Sequence, residues 1–191
     1  MTSLVLTGDT SGQVTIAAPA VAGSNTLTLQ AATATSAINT YSSTVNTTSG
    51  TAALYSSIPS WVKKITIGLS SVTYASTSLL NLQLGTSGGL TTSGYTGYAI
   101  TPTTTASMST SFLLQGVNVS GNAHSGIATL FLVDSTNNIW AFSASGGGVG
   151  SNTASTAGGR VALASVLTQL QISTVAGTTF SAGAVNVLFE G

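Results

Sequence analysis

One histidine, three carboxylates and three basic side chains are all that this chain of 191 residues offers for acid–base or ionic chemistry: His124, Asp9, Asp134, Glu190, Lys63, Lys64 and Arg160. It has no cysteine, which rules out a thiolate zinc site and a disulfide framework. A metal centre needs three or four converging ligands. One histidine and carboxylates scattered at 9, 134 and 190 do not supply them, so neither a metal nor a cofactor is expected. Glycoside cleavage needs two carboxyl groups about 5–9 Å apart. Asp9 in a linker-like turn, Asp134 at a hairpin tip and Glu190 at the penultimate position are not such a pair. The glycine cluster at 146–150 lacks the lysine and helix of a phosphate loop. His124 lies in Gly121-Asn-Ala-His-Ser-Gly126, which reads as a polar loop with an exposed or hydrogen-bonded imidazole.

Gly85-Thr-Ser-Gly-Gly89 superficially resembles the Gly-Asp-Ser-Gly-Gly around the serine of chymotrypsin-like proteases. Thr86 replaces the aspartate, the one histidine follows the serine, and no Gly-x-Ser-x-Gly elbow occurs. The segment reads as a flexible turn, and the chain is expected not to be an enzyme. Binding is the more open chemistry. Gly94-Tyr95-Thr-Gly-Tyr98 places two tyrosines among Gly, Ser and Thr, a mixture that gives rigid contact area beside adaptable hydrogen bonding. Tyr95 and Tyr98 are therefore the candidate binding loop, with core-facing tyrosines on a short edge strand as the alternative. Trp61 and Trp140 read as core. Lys63-Lys64 reads as a solvated strand edge that discourages pairing. Arg160 follows Gly158-Gly159 and is expected to meet a carboxylate or carbonyls, in this chain or across an interface. Arg160, Asp134 and Glu190 form the candidate interface set. Thr-x-Thr recurs at 26/28, 33/35 and 103/105, without the fixed period an ice-binding array requires.

Only 3% of residues are charged and the net charge is zero, against about a quarter charged in an average chain. Three basic side chains cannot displace the counterions that nucleic-acid binding requires. A monomer of this mass exposes roughly 8,000 Å². Six charges over that area leave about one per 1,300 Å², more than one partner's share of a typical interface, about 800 Å². Either hydroxyls solvate the surface, or other subunits cover much of it. The N-terminal sequence has no basic region followed by an apolar core, so no secretory signal is expected. No apolar run reaches 18 residues. No membrane partner is expected, and synthesis and folding in a cytoplasm are.

The elements that must position these residues read as strands. Alternation with period two marks 65–69, 80–84, 170–172 and 185–189, and 127–133 is a continuous apolar run of the kind found in sandwich cores. Turn residues separate the runs at short intervals. Asp134-Ser-Thr-Asn-Asn138 should turn a hairpin, and the glycine stretch 145–150 should be a flexible loop. About nine or ten strands fit between 52 and 191. The fold class is all-β, an antiparallel β-sandwich with a jelly roll as the candidate topology. The one helix candidate, 162–167, is short. Residues 1–50 form an N-terminal arm with short strands at 4–7, 13–16 and 26–30 and a Ser/Thr-rich linker, and residues 51–191 form the sandwich. The arm is too poor in large apolar groups to fold alone.

The segment Leu4-Val-Leu-Thr-Gly-Asp-Thr-Ser-Gly-Gln-Val-Thr-Ile-Ala-Ala-Pro-Ala-Val-Ala-Gly-Ser-Asn-Thr-Leu-Thr-Leu29 resembles an element of tail-fibre and other virion proteins of tailed bacteriophages. Trp61-Val-Lys-Lys-Ile-Thr-Ile67, Leu84-Gly-Thr-Ser-Gly-Gly89 with Ser93-Gly-Tyr95, and Gly183-Ala-Val-Asn-Val-Leu-Phe-Glu-Gly191 are similar to segments of phage virion proteins as well. The resemblance implies a virion structural protein and carries over no functional residue. Fibre chains usually continue beyond such an element, whereas here one sandwich follows, the size of a decoration module.

Two functions are carried forward. The first is a non-enzymatic structural protein on the exterior of a tailed-phage virion. It would be a trimeric capsid decoration (cement) protein, or a short head or tail fibre, touching the major capsid or tail protein. The second is a receptor- or glycan-binding module that uses the 85–100 and 145–159 loops on host surface glycans. Because few groups titrate, melting temperature is expected to stay nearly constant from about pH 5.5 to 9. Calorimetry across that range checks it, and a swing above roughly 10 °C would reveal a coupled ionisable site.

Overall fold

The computed structural model describes residues 3–7, 13–17, 39–75, 77–115, 123–149 and 153–191. Its contacts divide the chain into two units, Met1–Ser36 and Ala37–Gly191. In the first, β1 (Ser3–Thr7) and β2 (Gln13–Ala17) pair antiparallel, with Ser3 opposite Ala17 and Thr7 opposite Gln13. The strand expected at 26–30 and the turn carrying Asp9 lie outside the described residues.

The second unit is built from strands alone among the described residues. In chain order they are β3 (Asn39–Tyr41), β4 (Val45–Asn46), β5 (Ala52–Ser56), β6 (Lys64–Tyr74), β7 (Leu80–Thr86), β8 (Gly89–Leu90) and β9 (Thr96–Ile100). There follow β10 (Thr105–Met108), β11 (Phe112–Leu113), β12 (Ala123–Asp134), β13 (Ile139–Val149), β14 (Thr153–Ala162), β15 (Gln169–Thr174) and β16 (Phe180–Glu190). All pairings are antiparallel. The large sheet has nine strands in the order β10-β9-β14-β13-β12-β6-β16-β3, with β4 also on β16. The small sheet has five, β11-β7-β15-β5, with β8 on β7. The two pack against each other as the expected sandwich, and β12, β13 and β14 form a meander.

Alternation explains the packing. Ile65 and Ile67 of β6, Leu130 of β12, and Trp140 and Phe142 of β13 point inward from the large sheet. Leu80, Leu82 and Leu84 of β7 and Leu170 and Ile172 of β15 meet them from the small one. Fully burying each such side chain contributes about 1.5–3 kcal/mol before entropy is counted. Phe112 of β11 stacks on Phe142 at 4.4 Å between centroids, and Tyr95 meets Phe112 edge-on at 4.8 Å. This aromatic trio ties the two sheets together.

Several expectations are corrected here. The sandwich sheet takes in residues before 51: Ser42 Oγ donates to the Val187 carbonyl at 3.0 Å and Thr47 Oγ1 to that of Ala182 at 2.8 Å. Small hydroxyl residues thus finish this sheet edge with Val45 as its one apolar anchor on the core among the described residues. Segment 85–89 is the turn expected, a tight hairpin joining β7 to β8 in which the Gly88 N–H donates to Thr86 Oγ1. The glycine stretch is strand: through Gly148 it is paired on both sides, to β12 and β14. A Cβ on Gly126 would lie 2.4 Å from the Ser145 carbonyl oxygen, and one on Gly146 would lie 2.7 Å from that of Ser125. Glycine is present there because two backbones approach closely, not because the chain bends. Lys63-Lys64 is not at an edge either, since β6 lies between β12 and β16. The stretch 162–167 is the end of β14 followed by irregular chain.

Phe112→Ala should cost about 3–5 kcal/mol, the range for deleting a buried aromatic. Leu54→Ala, on the exposed side of β5, should stay within about 0.5 kcal/mol. Urea unfolding of both variants beside the parent checks the pair.

Candidate functional site: the outer face of the large sheet

The candidate binding pair is split by strand alternation. Tyr95 is 2% exposed, and its hydroxyl accepts from the Leu84 N–H at 2.8 Å. Burial pushes its pKa up to about 12. It is a core residue. Tyr98, on β9, is 60% exposed and points to the outer face of the large sheet. The 85–100 and 145–159 segments hold paired strands where loops were expected.

The interface set is also divided. Asp134 closes the β12–β13 hairpin: its carboxylate accepts from the N–H groups of Thr136 and Asn137 and from Asn137 Nδ2. Those bonds, the Asn137 side chain first, hold its pKa below the usual carboxylate value. Glu190 forms an ion pair with Lys64 at 3.0 Å and accepts from Thr66 Oγ1 at 3.1 Å. Arg160 is exposed on β14 and forms no ion pair among the described residues. Arg160, Lys64 and Glu190 share the outer face with Tyr98, while Asp134 serves its own turn.

His124 is not in a loop. It lies on β12, 4% exposed, and stacks on Tyr74 with centroids 5.5 Å apart. The β12 ladder extends further toward the N-terminus than its polar sequence suggests, and at this position alternation points the imidazole inward. Tyr74 donates to the Ser78 carbonyl at 2.7 Å and accepts from Gln115 Nε2. Among the described residues neither His124 Nε2 nor Gln115 Oε1 has a hydrogen-bond partner. Burial lowers the His124 pKa to about 4 and raises that of Tyr74 to about 12. The adjoining cavity is only about 10 Å³, room for nothing larger than a water. Among the described residues no three His, Cys, Asp or Glu side chains group as metal ligands.

Sequence reasoning missed the main feature. The run 127–133, read as doubly buried, alternates: Ala128 and Leu130 go inward, while Ile127, Phe131 and Val133 are exposed. Together with Tyr41, Tyr98 and Ile100, they place on the outer face of the large sheet six of the nine large hydrophobic side chains exposed among the described residues. Between them lie Ser, Thr and Gly. A depression of about 320 Å³ opens over Gly68, flanked by Ile127 and Asn186. The signal was available in Phe131 and Val133, two large residues in phase on the polar side of a strand. Exposed apolar area gathered on one face is a common feature of contact sites.

No protein-family model, no curated protein and no solved structure matches this chain.

The flat stability profile expected from composition must bend on its acid side. An imidazole whose pKa is depressed by folding stays neutral in the native state while the unfolded chain takes up a proton. Stability therefore falls as pH drops from about 6.5 toward 4, by about 3 kcal/mol in all. The Asp134 contribution is lost at lower pH, through its depressed value. His124→Asn should remove most of the slope between about pH 6.5 and 4, as read from melting temperatures at half-unit steps; an unchanged slope would show that the imidazole titrates normally.

Proposed function

We propose that this protein is a non-enzymatic structural component of the exterior of a tailed-phage virion, a decoration protein or short fibre that works by assembling with copies of itself and with the capsid or tail. The observation that supports this reading best is the outer face of the nine-stranded sheet. It gathers six exposed large apolar side chains and only three charges, Lys64, Glu190 and Arg160, two of them already paired. Such a face loses little on desolvation and gains apolar burial when covered. The resemblance of the 4–29 segment and of the C-terminal strand to virion proteins supplies the setting. Assembly with copies of itself is part of the proposal, and the two-fold contact derived below stands in place of the three copies expected from the sequence.

The glycan-binding alternative is the weaker one. Most described residues of its two segments lie in paired strands, and of its two tyrosines Tyr98 alone reaches the surface. Mass spectrometry of purified particles tests the main reading. The protein should be present in many copies per particle, and particles made without it should inactivate faster on heating while still adsorbing to cells. Absence from particles would remove the structural role, and lost adsorption with intact heat resistance would favour the binding module.

A further inference from the structure

We propose that the outer face of the large sheet is a two-fold interface for a second copy of this chain, stacked face to face about an axis that runs along β12. The inference rests on the assembly reading above and specifies its partner. Three strands lie on each side of β12 before β10: β13, β14 and β9 on one side, β6, β16 and β3 on the other. A two-fold axis along β12 carries a residue n strands to one side onto the place n strands to the other, at the same level. Facing pairs can therefore be read directly from the ladder.

One row across the sheet is Arg160, Ala141, Phe131, Lys64, Glu190. Phe131, 52% exposed, lies on the axis and meets its own copy. Arg160 faces the partner's Glu190, and Lys64 faces Ala141, so no like charges are opposed. The neighbouring row runs Tyr98, Gly158, Ser143, Thr129, Thr66, Leu188, Tyr41. Here Tyr98 faces Tyr41, the most exposed large apolar residue at 71%. Leu188 faces Gly158, a side chain opposite a position that has none. Ile127 lies on the axis one row further and meets itself.

Charge, aromatic and knob-to-gap complementarity within one sequence is what an isologous contact requires. A foreign partner would not require the two halves of this face to match each other. The face is large enough. The six strand spacings from β9 to β3 and the length of β12 span roughly 29 Å by 35 Å, above the 800 Å² or so per partner of a stable interface. Sheets stacked in this way lie about 10 Å apart and aligned within about 30°, a tilt that long side chains such as Arg160 and Glu190 can follow.

The chain has no cysteine, so single-cysteine variants at exposed positions test the geometry. Phe131→Cys should cross-link to itself with a bis-maleimide spanning about 10 Å. Tyr98→Cys mixed with a differently tagged Tyr41→Cys should give the mixed dimer. Tyr98→Cys alone should not cross-link, because its two copies lie about six strand spacings, roughly 29 Å, apart. Arg160→Glu should weaken self-association at least tenfold by light scattering, while its melting curve shows the fold intact. A monomer at 100 µM by light scattering (about a hundredfold above micromolar affinity), equal 98–98 and 98–41 cross-linking, or an oligomer that does not cross-link through residue 131 would overturn the proposal. Particle content separates the two readings. A monomer present in virions overturns only the two-fold interface, and a dimer absent from virions overturns only the virion role.

Discussion

Everything in the sandwich depends on apolar burial between two sheets that have almost no charge to help them. Leu82, Leu84, Ile172, Ile65, Ile67 and Leu130 are fully enclosed, and the stacked Phe112–Phe142 pair spans the gap. Elsewhere the polar work falls to backbone ladders and to short hydroxyl side chains. Ser42 and Thr47 finish an edge, Thr101 and Thr104 brace a turn, and Asn81 with Ser111 and Ser173 forms a buried amide–hydroxyl chain. Hydroxyls can do this because each is donor and acceptor at once and costs little to desolvate when bonded.

The fold class was legible because period-two alternation survives in the strongest strands, β6, β7, β15 and β16, and because Asp134-Ser-Thr-Asn-Asn138 is an unambiguous turn. The glycine-rich segments were not legible. Glycine serves flexibility and close packing alike, and only the distance from Gly126 to the Ser145 carbonyl tells them apart. The edge strands β3 and β4 were equally hidden, since hydrogen bonds from serine and threonine leave no apolar signature.

The candidate site was less legible than the fold. Tyr95 and Tyr98 are three residues apart in sequence, and a strand sends such neighbours to opposite faces. The inward one, Tyr95, is held by the Leu84 N–H and by the edge of Phe112, partners that lie far from it in the sequence pattern. His124 was misplaced for a related reason. Its polar neighbours suggest solvent, but alternation along β12 and the ring of Tyr74 take it into the core. The apolar run at 127–133 was noticed for the right residues and assigned to the wrong environment, because a continuous run does not reveal whether its second face is covered.

Asn39 of β3 and Glu190 of β16 are direct partners in an antiparallel pair. That arrangement has a mechanical meaning. Tension that enters through the chain ahead of Asn39 and leaves through Glu190 pulls both strands from the same end. It peels the three-residue β3 contact one rung at a time, instead of shearing many rungs together. The interior must give way all at once, whereas the corner at Asn39 and Glu190 opens like a zip under load.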